Sequence, residues 1–147
     1  MCIRDSTTGS DKDKNFNVGD VAPVTIEPDD PAQIIYTAGL TGKPLGAVLT
    51  HGNLCAELNM IQPIFRRQPD DVGLCLIPLF HSFGATVNML NVIQAGCSTV
   101  MMDRLTMETL FSAIEKEKIS YICSVPRLYV GMVFEEKAAK HDLSSLK

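Results

Sequence analysis

Three glycines, two threonine hydroxyls and a lysine fall within residues 37–46, in the stretch Thr37-Ala38-Gly39-Leu40-Thr41-Gly42-Lys43-Pro44-Leu45-Gly46. The apolar run 32–37 reads as a short strand that feeds this turn. Glycine lets a backbone turn sharply and bring several N–H groups close to one anion. Hydroxyls add donors, and a lysine adds charge. A turn of this composition suits the grip of a polyphosphate. It is not the common Walker loop, G-x-x-x-x-G-K-[ST]. Here Leu40 and Thr41 alone separate Gly39 from Gly42-Lys43, and Pro44 follows. The G-x-G-x-x-G dinucleotide pattern is absent as well.

The elements that must position this turn alternate between strand and helix patterns. Residues 47–50 read as a second strand. Asn53 reads as the N-cap of a helix with Leu54, Leu58, Ile61 and Phe65 on its apolar face, and Pro63 kinks that helix or ends it early. Residues 72–77 read as a buried strand. A helix follows Gly84 and stops at Gly96, and 98–102 is a further strand. Thr106 caps a helix with Glu108 in its first turn and a core stripe of Met107, Leu110, Phe111 and Ile114. Residues 119–124 form another strand, and Pro126 opens a helix to about Lys140. Strands separated by helices predict an α/β layered fold with a mainly parallel sheet.

The composition narrows the function classes. Hydrophobic residues make up 46% of the 147, enough to build a buried core, and the net charge of −4 without a basic block argues against nucleic acid as partner. No apolar run reaches the roughly 18 residues of a membrane span, which leaves only peripheral contact with a membrane open. No Cys or His spacing matches a zinc site, so no metal ligand is assigned. Cys75 and Cys123, inside apolar runs, read as small core residues of a protein in the reducing cytoplasm.

Residues 1–6, Met-Cys-Ile-Arg-Asp-Ser, back-translate as ATG TGT ATA AGA GAC AG, the end of a common transposon sequencing adapter. They read as a sequencing scar on a gene cut mid-frame, residues 7–30 as a polar loop or linker, and residues 31–147 as a partial domain.

The stretch 36–53 resembles the phosphate loop of the adenylate-forming superfamily, which includes acyl-CoA synthetases, luciferases and peptide-synthetase adenylation domains. That pattern runs Tyr-Thr-Ser/Ala-Gly-Thr-Thr-Gly-x-Pro-Lys-Gly and continues Val-x-Leu-Thr-His-x-Asn. Here Val48-Leu49-Thr50-His51-Gly52-Asn53 carries the second half. Ile77-Pro78-Leu79-Phe80-His81-Ser82-Phe83-Gly84, Val125-Pro126-Arg127-Leu128-Tyr129 and Asp142-Leu143-Ser144-Ser145-Leu146-Lys147 resemble later family segments in order. The resemblance covers residues 30–147 and is greatest to long-chain fatty acyl-CoA synthetases, which implies fatty acid and lipid metabolism. It implies a piece of the large N-terminal domain of an acid–thiol ligase. In such an enzyme a carboxylate, here a fatty acid, attacks the α-phosphate of ATP with Mg²⁺ assisting. The acyl-AMP that forms then passes its acyl group to coenzyme A. Thr37, Ala38, Gly39, Thr41, Gly42 and Lys43 would hold the phosphates. Phe80 and His81 would line or gate the acyl pocket. The family's downstream Tyr-Gly-x-Thr-Glu segment, ribose-binding Asp and catalytic lysine have no counterpart in these 147 residues. No catalytic residue is therefore assigned, and the chain alone is expected to be inactive.

Leu40 replaces the first Thr of the Thr-Thr pair, and Leu45 replaces the loop lysine. Losing that charge-assisted contact costs roughly 1.5–3 kcal/mol, which Lys43 offsets in part. Leu45 favours an alternative, a non-catalytic homologue that uses the scaffold to bind acyl ligands or partners. A further alternative is an aryl-acid or amino-acid adenylating domain. Other readings compete residue by residue. His81 reads equally as a buried histidine bonded to backbone, Phe80 and Phe83 as core, and His51 as the anchor of the turn before the helix. Arg127 and Tyr129 read as structural, and residues 137–140 as a solvated face.

Overall fold

The computed structural model describes residues 3–5, 24–39, 42–102 and 104–147. Its centre is a four-stranded parallel sheet in the order β1-β5-β4-β6, with β1 Ile3–Asp5, β4 Val72–Cys75, β5 Ser98–Met101 and β6 Tyr121–Ile122. The α/β reading with a mainly parallel sheet is correct. Three of the six residues set aside as a scar, Ile3–Asp5, lie along β5 in this sheet. Of the segment 7–30, only 24–30 falls among the described residues, as coil and turn.

Leu74 and Val100 are register partners, so their side chains leave the same face. They pack there on Leu110, Phe111 and Ile114 of α3 (Met107–Glu117) and Leu128 of α4 (Pro126–Phe134). The stripe foreseen for α3 supplies most of this core, and Thr106 caps the helix by accepting from the Thr109 N–H at 3.1 Å. An antiparallel pair, β2 Pro31–Thr37 and β3 Leu45–Thr50, forms a separate sheet and runs into α1 His51–Phe65.

Several elements differ from expectation for physical reasons. The N-cap of α1 is Thr50, not Asn53. Thr50 Oγ1 accepts from the Asn53 N–H at 3.2 Å, and Asn53 Oδ1 accepts from the Thr50 N–H at 3.1 Å. Asn53 is thus the third helical residue of a reciprocal capping pair. The helix runs on through Pro63 to Phe65. The helix after Gly84 is a π-helix, Phe83–Leu90, handing over to α2 Asn91–Gln94 and closing at Gly96 with φ +71°. Strand β6 is shorter than 119–124 because Tyr129 takes its end: the phenol donates to the Ile122 carbonyl at 2.8 Å and accepts from the Ser124 N–H at 3.1 Å. Helix α4 stops at Phe134, where Glu135 is extended, and a 3₁₀ turn, Glu136–Lys140, follows. Gly131 and the β-branched Val130 and Val133 are weak helix formers there. Phe80 is not core: it is 81% exposed. Among the described residues no helix is long and apolar enough to cross a membrane.

Candidate functional site

The glycine-rich turn closes a hairpin. Tyr36 registers with Gly46 and Thr37 with Leu45, so Ala38, Gly39, Gly42, Lys43 and Pro44 lie in the connecting loop. Leu40 and Thr41, the latter among the expected phosphate ligands, fall outside the described residues. Gly39 and Gly42 both adopt left-handed backbone, φ +70° and +77°. A Cβ on Gly39 would also run into the Lys43 carbonyl. Glycine is required at that position on two counts. The Gly42 N–H donates to the Gly39 carbonyl at 3.3 Å, and the Thr37 hydroxyl donates to the Leu45 carbonyl at 3.4 Å.

Thr37, Ala38, Gly42 and Lys43 are exposed, and no carboxylate pairs with Lys43 among the described residues. The described part of the loop therefore offers an anion exposed backbone at Ala38 and Gly42 and the uncommitted cation of Lys43, while the Gly42 N–H and the Thr37 hydroxyl are turned to carbonyls of the hairpin itself. Leu45, 61% exposed, stands cross-strand from Thr37 on the same face.

The far end of the hairpin is fixed by backbone: the His51 N–H donates to the Asp30 carbonyl at 3.0 Å, and that of Gly52 to the Pro28 carbonyl at 2.7 Å.

The Pro78–Phe83 segment follows β4 at the carboxyl end of the parallel strands, where open α/β sheets present ligands. His81 is exposed rather than buried. It does bond to backbone, its Nδ1 accepting from the Phe83 N–H at 3.1 Å. In the neutral ring the proton then sits on Nε2 and can be donated to a carboxylate. Beside this segment an apolar cavity of about 310 Å³ opens between the ends of β4 and β6, lined in part by Ile77, Leu105, Met107, Arg127 and Leu128. Neither Phe80 nor His81 lines it. No hydrogen bond or ion pair joins the hairpin loop to His81 or Phe80 among the described residues.

Sequence reasoning missed a buried polar cluster behind β4. Arg67 is 6% exposed, and Asn91, Asn88, Thr86, Asp71 and Ser120 are buried with it. Its guanidinium lies 4.2 Å from the Tyr121 ring centre and 4.6 Å from that of Phe65. Burial lowers the Arg67 pKa and raises that of the Tyr121 phenol. Arg67 sits in the polar string Arg66-Arg67-Gln68-Pro69-Asp70-Asp71, which looks like a surface turn. The available signal was Asn88 and Asn91, polar residues spaced i, i+3 inside an apolar helix. Among the described residues no three His, Cys, Asp or Glu side chains come together to hold a metal ion.

The sequence profile of the AMP-binding enzyme family matches residues 3–147. The chain belongs to that family. Among AMP-binding relatives, it is 33% identical over 133 residues to 4-coumarate–CoA ligase 2 of Oryza sativa subsp. japonica, covering 88% of this chain and 23% of that protein. It is 37% identical over 127 residues to 4-coumarate–CoA ligase-like 9 of Arabidopsis thaliana, covering 84% and 22%. The structure of ATP-bound MatB from Rhodopseudomonas palustris superposes with a TM-score of 0.75 at 25% identity, covering 86% of this chain and 25% of that one. The chain thus spans about a quarter of the length of the AMP-binding proteins it matches.

Proposed function

We propose that this chain carries the phosphate-holding part of an ATP-dependent acid–CoA ligase. The observation that carries the proposal is the turn joining β2 to β3, held tight by two left-handed glycines, Gly39 and Gly42, and edged by the exposed Thr37 and Lys43. Thr37, Ala38, Gly39, Thr41, Gly42 and Lys43 would hold the β- and γ-phosphates while a carboxylate attacks the α-phosphate and pyrophosphate leaves. The loop's part is electrostatic: fixed N–H dipoles and one cation stabilise negative charge on the departing pyrophosphate. The coenzyme A thiol then attacks the acyl carbon of the adenylate, the acyl–phosphate bond breaks, and AMP and the thiol proton leave. Within the acid end, Nε2–H of His81 would orient the carboxylate and Phe80 would shield it from water. Mg²⁺ would assist by adding positive charge at the phosphates to that of Lys43.

Two substrate classes are in play. The segment 142–147 resembles one of fatty acyl-CoA synthetases, whereas the 4-coumarate ligase relatives support an aryl acid. Acid-dependent ATP–pyrophosphate exchange on the complete polypeptide, run with 4-coumarate and with fatty acids of graded length, tests both. Exchange with one series and not the other is expected. Exchange with neither would favour the non-catalytic reading that Leu45 suggests.

A further inference from the structure

Arg67 follows α1 and reaches under the π-helix. Its Nη1 donates to the Val87 carbonyl at 3.0 Å and to Asn91 Oδ1. The Asn91 N–H bonds five residues back, to Thr86, so Arg67 grips the π-helix where it passes into α2. The guanidinium carbon sits over the Tyr121 ring, and that ring has room because Gly73 beside it has no side chain; a Cβ there would meet the ring.

The other end of the π-helix is locked to the acid-side segment. A Cβ on Gly84 would meet the carbonyls of Ile77 and Pro78. The Ala85 N–H donates to the His81 carbonyl, and the His81 N–H to that of Pro78, each at 3.0 Å. Rotation or slippage of the π-helix therefore moves His81 and Phe80 with it.

We infer that Arg67 is a positioning residue for the acid substrate: by holding Val87 and Asn91 it sets the π-helix and, through Gly84 and Ala85, the placement of His81. The inference rests on the ligase reading given above. Nη1 alone meets both acceptors; arginine is needed rather than lysine because its guanidinium carbon sits over the Tyr121 and Phe65 rings at the same time. Pi-helical turns recur at functional sites because their backbone can be pinned in an uncommon register.

The test is acid-dependent ATP–pyrophosphate exchange on the complete polypeptide with Arg67→Met, Arg67→Lys and Asn91→Leu. Arg67→Met is expected to raise the acid KM about tenfold, to leave the ATP KM within about twofold, and to flatten the preference between short and long acids. Arg67→Lys is expected not to restore the preference. Asn91→Leu, which removes one acceptor and keeps the branched outline of the side chain, is expected to shift the acid KM about threefold in the same direction, and it decides the matter should Arg67→Met not fold. An unchanged acid KM in Asn91→Leu, or full rescue by Arg67→Lys, would overturn the inference alone. Absence of exchange in the wild type would overturn the ligase reading and the inference with it.

Discussion

Gly39 and Lys43 are packed backbone to backbone: the Lys43 carbonyl occupies the place where a side chain on residue 39 would begin. The turn can keep this shape only with glycine at 39, and its φ of +70° adds a second reason. Gly39→Ala must therefore open the loop and displace the N–H groups around it. The expected result is a rise of about tenfold or more in the ATP KM, with the acid KM little changed, measured by ATP–pyrophosphate exchange. Thermal melting should stay close to wild type, because the loop is exposed and packs on little.

Leu45 stands opposite Thr37 at the mouth of the loop. A lysine there would add a second cation beside the Thr37 hydroxyl. Leu45→Lys is expected to lower the ATP KM by roughly tenfold, the lower end of a charge-assisted contact. The check is a nucleotide titration at two salt concentrations, since an exposed charge loses effect as salt rises. An ATP KM indifferent to both the substitution and salt would argue against phosphates near residue 45.

Asp71 links the starts of three strands. Its carboxylate accepts from the Gln68 N–H at 2.8 Å, the Ser120 hydroxyl at 2.8 Å and Lys147 Nζ at 2.6 Å, while its carbonyl accepts from the Ser98 N–H at 3.1 Å. Burial pushes its pKa up, but the Gln68, Lys147 and Ser120 donors outweigh it and hold the carboxyl below its ordinary range. A depressed folded-state value means that its stabilisation is complete above the unfolded value of about 3.9 and fades as pH falls through the folded one. Urea unfolding between pH 7 and pH 2 should show this loss below about pH 4. In Asp71→Asn the acid slope should be shallower, and stability at pH 7 lower by roughly 2 kcal/mol.

Thr50 ends β3 and caps α1 with the same residue. Thr50→Ala removes the acceptor for the Asn53 N–H and should cost about 1 kcal/mol in urea unfolding. Asn53→Ala, which removes only the returning bond, should cost less. Equal costs would mean that the two bonds act as a unit.

Much of the fold could be read from the chain because apolar spacing and caps agreed with each other. The α3 stripe, Thr106 and Gly96 all stand where their types placed them. Failures came where a tertiary partner decided. The shortening of β6 depends on the Tyr129 phenol, seven residues from the carbonyl it takes. The π-helix register coincides with the grip of Arg67, twenty residues from Val87. No local pattern carries either contact. Of the two readings of Phe80, pocket lining and core, the core one fails, since the side chain stands exposed on the loop after β4. The hairpin loop was legible as a turn from Gly39 and Gly42, but that it joins antiparallel strands follows from pairing alone.

The most direct measurement compares the affinities of ATP, AMP and adenosine for the wild-type complete polypeptide and for Lys43→Ala by equilibrium titration. If the loop holds the β- and γ-phosphates, Lys43→Ala should weaken ATP by about tenfold, AMP by less than about twofold, and adenosine not at all. An equal loss for ATP and adenosine, or no loss for ATP, would contradict a phosphate role for this loop.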